Sequence, residues 1–243
     1  MINIKENSII GNTPMIKIDY EFEKNKRSIY VKLEYYNLTG SIKDRVAYYI
    51  INNAKKQNLL KDSMPIIEAT SGNTGIALAA LGAYYKHPVY IYMPEWASKE
   101  RVNLMKLYGA NVTLVSREDG GFIGCVEKAK NKAKEINGFL ANQFSNENNF
   151  LAHYETTAKE IIEQVPEKVD SFISGVGTGG TLMGIGKRLK EEFEDFKIVA
   201  LEPDKMPIIS TGKPLGNHKI EGIGDDFVPD LIDKEAIDDI ILV

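Results

Sequence analysis

The stretch PIIEATSGNTGIALAALGAY, residues 65–84, decides the fold. Its first half, Ile66-Ile67-Glu68-Ala69, is a short apolar run of strand length. Its second half, Thr74 to Tyr84, reads as a helix, and the polar turn Thr70-Ser71-Gly72-Asn73-Thr74-Gly75 joins the two. A strand that runs through a small-residue turn straight into a helix is half of a parallel βαβ unit. The same order recurs downstream. Val89 to Met93 reads as a strand and Ser98 to Tyr108 as a helix. Asn111 to Val115 is the next strand and Gly124 to Ile136 the next helix. A longer helix spans Asn148 to Val165. Then come a strand at Ser171–Ser174, a helix at Thr181–Phe193 and a strand at Ile198–Leu201. Upstream, Met15 to Ile18 is a short apolar pattern and Tyr30 to Leu33 a strand. Arg45 to Lys56 carries Val46, Tyr49, Ile50 and Ala54 at helical spacing. Such alternation predicts an α/β architecture with largely parallel sheets flanked by helices.

Composition bounds the function. The chain has 243 residues, 43% hydrophobic and 26% charged, enough to bury a sizeable core. A net charge of -4 with scattered lysines and arginines gives no reason to expect nucleic acid. The single cysteine, Cys125, cannot form an internal disulfide and fits a reducing compartment. Gly124-Cys125-Val126 reads as a helix start more readily than as a nucleophile's setting. His87, His153 and His218 share no metal-ligand spacing, so no metal site is expected. The first residues, Met1 to Glu6, lack the shape of a signal peptide, and no apolar run spans a bilayer. Gly138 to Asn149 is polar and asparagine-rich, which suits a crossing between two substructures near residue 145.

Three turns carry candidate chemistry. Thr39-Gly40-Ser41-Ile42-Lys43-Asp44-Arg45 puts Lys43 at or beside a helix N-terminus, where a cation is poorly placed. It is either a solvated lysine beside Asp44 and Arg45 or an amine joined to a carbonyl cofactor as a Schiff base. Gly175-Val176-Gly177-Thr178-Gly179-Gly180-Thr181 follows a strand and opens a helix, as a phosphate cradle does. The same glycines fit G-x-G-x-x-G, with Glu202 placed as a ribose-binding acid, so a dinucleotide site is a rival. A tight structural turn is the plain alternative. The Ser71–Gly75 turn is either an N-cap through Ser71 or Asn73, or a second anion site suited to a carboxylate. Both loops belong at the carboxyl ends of parallel strands, where α/β sheets bind ligands.

Several motifs in order resemble the cysteine synthase and cystathionine β-synthase family of pyridoxal-phosphate enzymes, of the tryptophan synthase β fold type. They run from Gly11-Asn12-Thr13-Pro14 through Gly40-Ser41-Ile42-Lys43-Asp44-Arg45, Thr70 to Gly75, Met93-Pro94-Glu95 and Asn142-Gln143-Phe144-Ser145-Asn146. They continue through His153-Tyr154-Glu155-Thr156-Thr157 and Gly177 to Thr181, and end with Glu221-Gly222-Ile223-Gly224. The resemblance implies a Schiff-base role for Lys43, which also shuttles the α-proton, and pyridoxal 5'-phosphate as cofactor. It implies that Asn73 meets the ring hydroxyl and that Gly177, Thr178, Gly179, Gly180 and Thr181 hold the phosphate. Thr70, Ser71, Gly72, Thr74, Gln143 and Gly224 would bind the substrate. It further implies two domains, each a mostly parallel sheet. A large cofactor domain takes residues 1–37 and 146–243, and a small mobile one takes 38–145. Members usually continue for some tens of residues with a Ser or Thr near the pyridine nitrogen. The apolar end Ile237 to Val243 is therefore expected to lie in or beside a sheet of a truncated large domain.

The implied activity is β-replacement or β-elimination on an O-activated serine or cysteine, in sulfur amino-acid metabolism. The implied protein is a cytoplasmic homodimer with a small amino-acid substrate and neither nucleic acid nor membrane as partner. Asp225-Asp226 departs from cysteine synthases, which carry small residues there. Asp225 is a candidate base for water or a thiol, giving a cysteine β-lyase or cystathionine β-synthase-like enzyme that releases hydrogen sulfide. Asp226 is read as structural, and both acids could equally be solvated loop residues. A non-catalytic binding partner on the same fold is the remaining alternative.

Overall fold

The computed structural model describes residues 9–243; the Met1–Glu6 stretch lies outside the described residues. Its first sheet contains β3 (Ile66–Ala69), β4 (Val89–Pro94), β5 (Asn111–Val115) and β6 (Phe139–Leu140), in the order β5-β4-β3-β6 and parallel throughout. Helices α2 (Asn73–Tyr85), α3 (Lys99–Leu107) and α4 (Gly121–Glu135) connect them. All four residues of β3 are buried, as expected for a strand covered on both faces. Helix α1 (Lys43–Lys56) turns Val46, Ala47, Ile50, Ile51 and Ala54 inward against Leu78 and Leu81 of α2. Each large aliphatic buried here contributes about 1.5–3 kcal/mol relative to exposure.

The second sheet, β7 (Ser171–Gly175), β8 (Lys197–Glu202) and β9 (Asp239–Leu242), is also parallel, in the order β7-β8-β9. Helix α7 (Gly180–Glu192) connects β7 to β8 and packs Leu182, Ile185 and Leu189 with Ile198 and Ala200. The apolar end of the chain thus lies in a sheet, where β9 pairs with β8 and the Val243 amide donates to the Glu202 carbonyl at 3.0 Å. Between the sheets the chain leaves β6 at Leu140 and enters α5 (Glu147–Ala152), which packs on both α1 and α7. The short helix α8 (Ile208–Thr211) follows β8.

Four elements differ from expectation. Met15–Phe22 (β1) and Asn25–Lys32 (β2) form an antiparallel hairpin longer than the apolar patterns foretold. Its two-residue turn places Glu23 and Lys24 in left-handed backbone, at φ 51° and 65°, a geometry usually signalled by Asn-Gly. The two-residue strand β6 is too short to show in the sequence. Helix α4 starts at Gly121, so Cys125 lies inside it and does not open it. The single helix expected over Asn148–Val165 is α5, a π-helical turn at His153–Thr157, then α6 (Ala158–Gln164). Thr156 Oγ1 donates back to the Ala152 carbonyl, which competes with the helical ladder there. The widened turn keeps His153 and Thr157 buried.

Candidate active site

Lys43 is the first residue of α1, and its neighbours fix the turn it stands on. Buried Asp44 reaches back to accept from the Thr39 amide at 2.7 Å and the Thr39 hydroxyl at 2.6 Å. The Lys43 amide donates to Ser41 Oγ at 3.2 Å. Arg45, 3% exposed, donates to Glu34 at 2.7 Å and to both carboxylate oxygens of Glu160, at 2.6 and 2.7 Å. Lys32 adds a second cation on Glu160 at 2.7 Å. The lysine therefore projects from a turn anchored at both ends, which orients an amine far better than a solvated surface turn.

Two adjoining cavities share Ile42, Lys43, Gly177, Thr178 and Gly222 in their walls. The first, about 150 Å³, is closed by Ser174, Gly175, Gly179, Thr181 and Leu182. This is the glycine loop before α7, whose first turn leaves amides without intrahelical partners. A side chain at Gly177 would meet the Gly222 carbonyl at 2.5 Å, and one at Gly180 would meet Asn149 at 2.1 Å. Glycine is thus needed for the backbone to close around a small anion. Asn149 Nδ2 donates to Thr178 Oγ1 at 2.8 Å, which leaves the threonine's own proton free for an anion. Thr181 Oγ1 meets His153 Nε2 at 3.2 Å, and His153 Nδ1 meets Thr157 Oγ1 at 3.0 Å. Burial, and then the charges of Lys43 and Arg45, hold the His153 pKa well below the usual histidine value, so the ring is neutral.

The second cavity, about 190 Å³, is lined by Thr70 to Thr74, Gln143, Phe144 and Asp225, with Arg101 and Glu221 at its rim. Thr74 donates to Gln143 Oε1 at 2.6 Å, and Gln143 Nε2 donates to the Ala69 carbonyl at 3.1 Å. Buried Glu68 accepts from the Gln143 amide at 3.0 Å and from the Ala69 amide at 2.8 Å. Burial pushes the Glu68 carboxyl up to about 7, against those two amide bonds. Asn149 Nδ2 also donates to the Gln143 carbonyl at 2.9 Å, so one asparagine ties the two cavities together.

Lys43 and Asp225 share the second cavity, and their charges act on one another. Burial lowers the Lys43 pKa, partly offset by Asp225. Burial, and then Asp226, raise the Asp225 carboxyl to about 6, while Lys43 and His218 pull it back. An amine with a reduced proton affinity and a carboxyl with an enhanced one are suited to proton transfer.

Of the expected site residues, Lys43, Thr70, Ser71, Gly72, Asn73, Thr74, Gln143, Gly177, Thr178, Gly179, Thr181 and Asp225 line one or both cavities. Gly180 and Gly224 do not. Gly180 is pressed on Asn149 as the first residue of α7. The Gly224 amide donates to the Val176 carbonyl at 2.9 Å, and its own carbonyl meets His218 Nε2 at 2.9 Å, so Gly224 braces the loop from behind. Glu202 does not serve a ribose: it is buried and caps α8, accepting from the Ile209 amide at 2.6 Å and the Ser210 amide at 3.1 Å. Cys125 is fully buried, with its thiol pushed up to about 12 by burial, so it is no nucleophile. Sequence reasoning missed Glu68, Asn149 and Arg101, and named His153 only within a family motif and as a histidine without metal-ligand spacing. The His153/Thr157 spacing of four was the one local signal for that ring's place.

A larger cavity of about 620 Å³ beside Phe150, Met183 and Asp233 contains none of these loops. Among the described residues no cluster of His, Cys, Asp or Glu could hold a metal, and no helix is long and apolar enough to cross a membrane.

The chain is similar to known proteins over almost its whole length. A cysteine synthase of Flavobacterium sp. is 44% identical over 235 residues, covering 96% of this chain and 76% of the relative. The hydrogen sulfide-producing enzyme Fn1055 of Fusobacterium nucleatum superposes with a TM-score of 0.94 at 48% identity, covering 98% of this chain and 72% of that one. A cysteine synthase of Entamoeba histolytica gives 0.91 at 41% identity, covering 100% and 73%. Residues 7–242 match the family described as pyridoxal-phosphate dependent enzyme. With an anchored lysine between a glycine cradle and a polar loop, and a match over almost its whole length, the chain belongs to the pyridoxal-phosphate dependent enzymes.

Proposed function

We propose that this chain catalyses a cysteine synthase-like β-replacement or β-elimination on an O-activated serine or cysteine. The observation that carries the reading is the placement of Lys43 in the wall common to both cavities. The residues present fit the cofactor. The glycine loop leaves room only for backbone around a small anion, and Thr178 has a free hydroxyl proton there. Bound pyridoxal phosphate supplies a conjugated ring that withdraws electron density from the substrate and makes its α-proton acidic.

Lys43 would hold the cofactor aldehyde, and its amine would serve as the acceptor of the α-proton. Its lowered pKa keeps more of that amine neutral. Gly177, Thr178, Gly179 and Thr181 would hold the phosphate, with Gly180 keeping the loop close on Asn149, and Asn73 would meet the ring hydroxyl. Thr70, Ser71, Thr74 and Gln143 receive the substrate carboxylate. Residues 38–145 form the small domain that closes over the site, and 1–37 with 146–243 form the large one; two parallel sheets with separate cores support this division. A cytoplasmic homodimer completes the proposal, with sedimentation as the test of the dimer.

A second reading concerns the nucleophile and rests on Asp225 in the cavity wall. Sulfide is largely anionic near neutral pH and needs no base, and a carboxylate repels it. Water or a thiol must lose a proton, and Asp225 can take it. Asp225 therefore biases the enzyme toward releasing sulfide from cysteine, while Asp226 shapes the loop. The purified protein should absorb visible light, and an amino-acid substrate should shift that band. A colourless protein that takes up no cofactor would refute the enzyme. Sulfide release from cysteine and sulfide incorporation into O-acetylserine, each measured with Asp225→Asn, test the base; an unchanged ratio of the two rates would refute it.

A further inference from the structure

The rim of the 190 Å³ cavity is spanned by one side chain. Arg101 is the third residue of α3 and belongs to the first sheet's layer. Its Nη2 forms an ion pair with Glu221 Oε2, on the loop between α8 and β9 of the second sheet. Its Nη1 donates to the Ser71 carbonyl at 3.4 Å. Between these ends the side chain lies flat on Gly72, where a Cβ would stand 2.9 Å from both Cδ and Nε of the arginine. The guanidinium thus lies as a bar across the mouth, from the Ser71–Gly72 loop to the segment that carries Asp225.

That segment is fastened to the first sheet's side again beyond Asp225. The Phe227 ring packs against Phe144 at 5.0 Å and against Phe122 at 6.3 Å, and Ser145 donates to Asp230. Asp225 is suspended between a charged fastening and an aromatic one. The two differ in how they respond to solvent. The aromatic contact is apolar and indifferent to salt. The Arg101–Glu221 pair is exposed at its acid end, 60% against 20% for the arginine. Exposed pairs shift an equilibrium by about twofold to fivefold and are screened by salt.

We infer that Arg101 and Glu221 are a positioning pair, which holds the Ser71–Gly72 loop against the Glu221–Asp225 segment while substrate is bound. This rests on the reading of Thr70 to Thr74 as the substrate-carboxylate loop, and the experiment separates the two. With the holoenzyme, substrate affinity is read from the cofactor absorbance change on titration with amino acid. Hydrogen–deuterium exchange is followed over residues 70–75 and 221–225. Glu221→Gln and Arg101→Gln should each raise the half-saturating concentration about twofold to fivefold, leave the limiting absorbance change unaltered, and speed exchange in both segments. The exchanged-charge double variant Arg101→Glu with Glu221→Arg should recover most of that affinity. Raising salt from about 0.05 to 0.5 M should weaken the parent enzyme but not Glu221→Gln. Thr74→Val should weaken binding at every salt concentration. Glu221→Gln binding as tightly as the parent, or an exchanged pair as weak as the single variants, would overturn the pair. Thr74→Val with unaltered affinity would overturn the carboxylate loop itself.

Discussion

Asp225→Asn should make the protein more stable and less active at once. Burial, reinforced by Asp226, lifts the Asp225 carboxyl from 3.8 to about 6, with Lys43 and His218 opposing. The folded state therefore holds this proton more tightly than the unfolded chain does. Below about pH 4 the group is protonated in both states and costs nothing. As pH rises through about 6 the folded protein must ionise a carboxyl it disfavours, and stability falls. A rise of about two pH units corresponds to about 3 kcal/mol at full ionisation. That is a ceiling, since the side chain is only half-buried and water screens it, so a gain of about 1–2 kcal/mol is expected. Asparagine keeps the shape and never ionises. Urea unfolding of parent and variant should coincide near pH 4 and diverge in the variant's favour by pH 7 to 8, a difference read from the midpoints. Over the same range the sulfide-releasing rate should fall about 10²–10⁴-fold in the variant and lose its rise through about pH 6. Parallel pH–stability curves for the two proteins would refute the electrostatic argument. Equal sulfide-releasing rates would refute the base.

Other perturbations have equally definite outcomes. Lys43→Ala should abolish the covalent link, seen as loss of the cofactor mass that the parent retains after borohydride reduction and denaturation, while Thr178 and the glycine loop still bind free cofactor, seen by equilibrium dialysis. Glu68→Gln should flatten a stability loss that the parent shows as pH rises from about 4.5 through about 7, because burial raises that carboxyl in the folded state; urea midpoints across pH read it. Arg45→Ala should cost about 3–5 kcal/mol by leaving the charged Glu34 without a cation and Glu160 with Lys32 alone, again read from urea midpoints. Burial alone would raise the Glu160 carboxyl, but Arg45 and Lys32 hold it down at about 2. The stability that pair supplies is present above about pH 4.5 and is lost as pH falls toward 2.

What the sequence disclosed and what it hid follow from the range over which each feature is determined. The parallel strands and their helices were legible because a doubly covered strand such as Ile66–Ala69 needs a continuous apolar run. Lys43, the 70–75 turn and the 177–181 loop were legible because each is a local strand-to-helix turn with its own glycines or hydroxyls. The hairpin turn at Glu23 and Lys24 was hidden because neither residue advertises the left-handed backbone it adopts. The groups that tune the site were hidden for a different reason: their partners are far away in the chain. Arg101 finds Glu221 120 residues on, and Glu68 finds the Gln143 amide 75 residues on. Thr178 meets Asn149 across 29 residues. No periodicity marks such pairs, because only the packing of segments distant in the chain makes them neighbours. The consequence is a division of labour in the site. Local turns determine which groups are present, and the distant pairs determine their charge and position. A substitution at Glu68, Arg101 or Glu221 should therefore alter affinity and pH response while leaving the reaction type intact, whereas one at Lys43 should abolish the reaction.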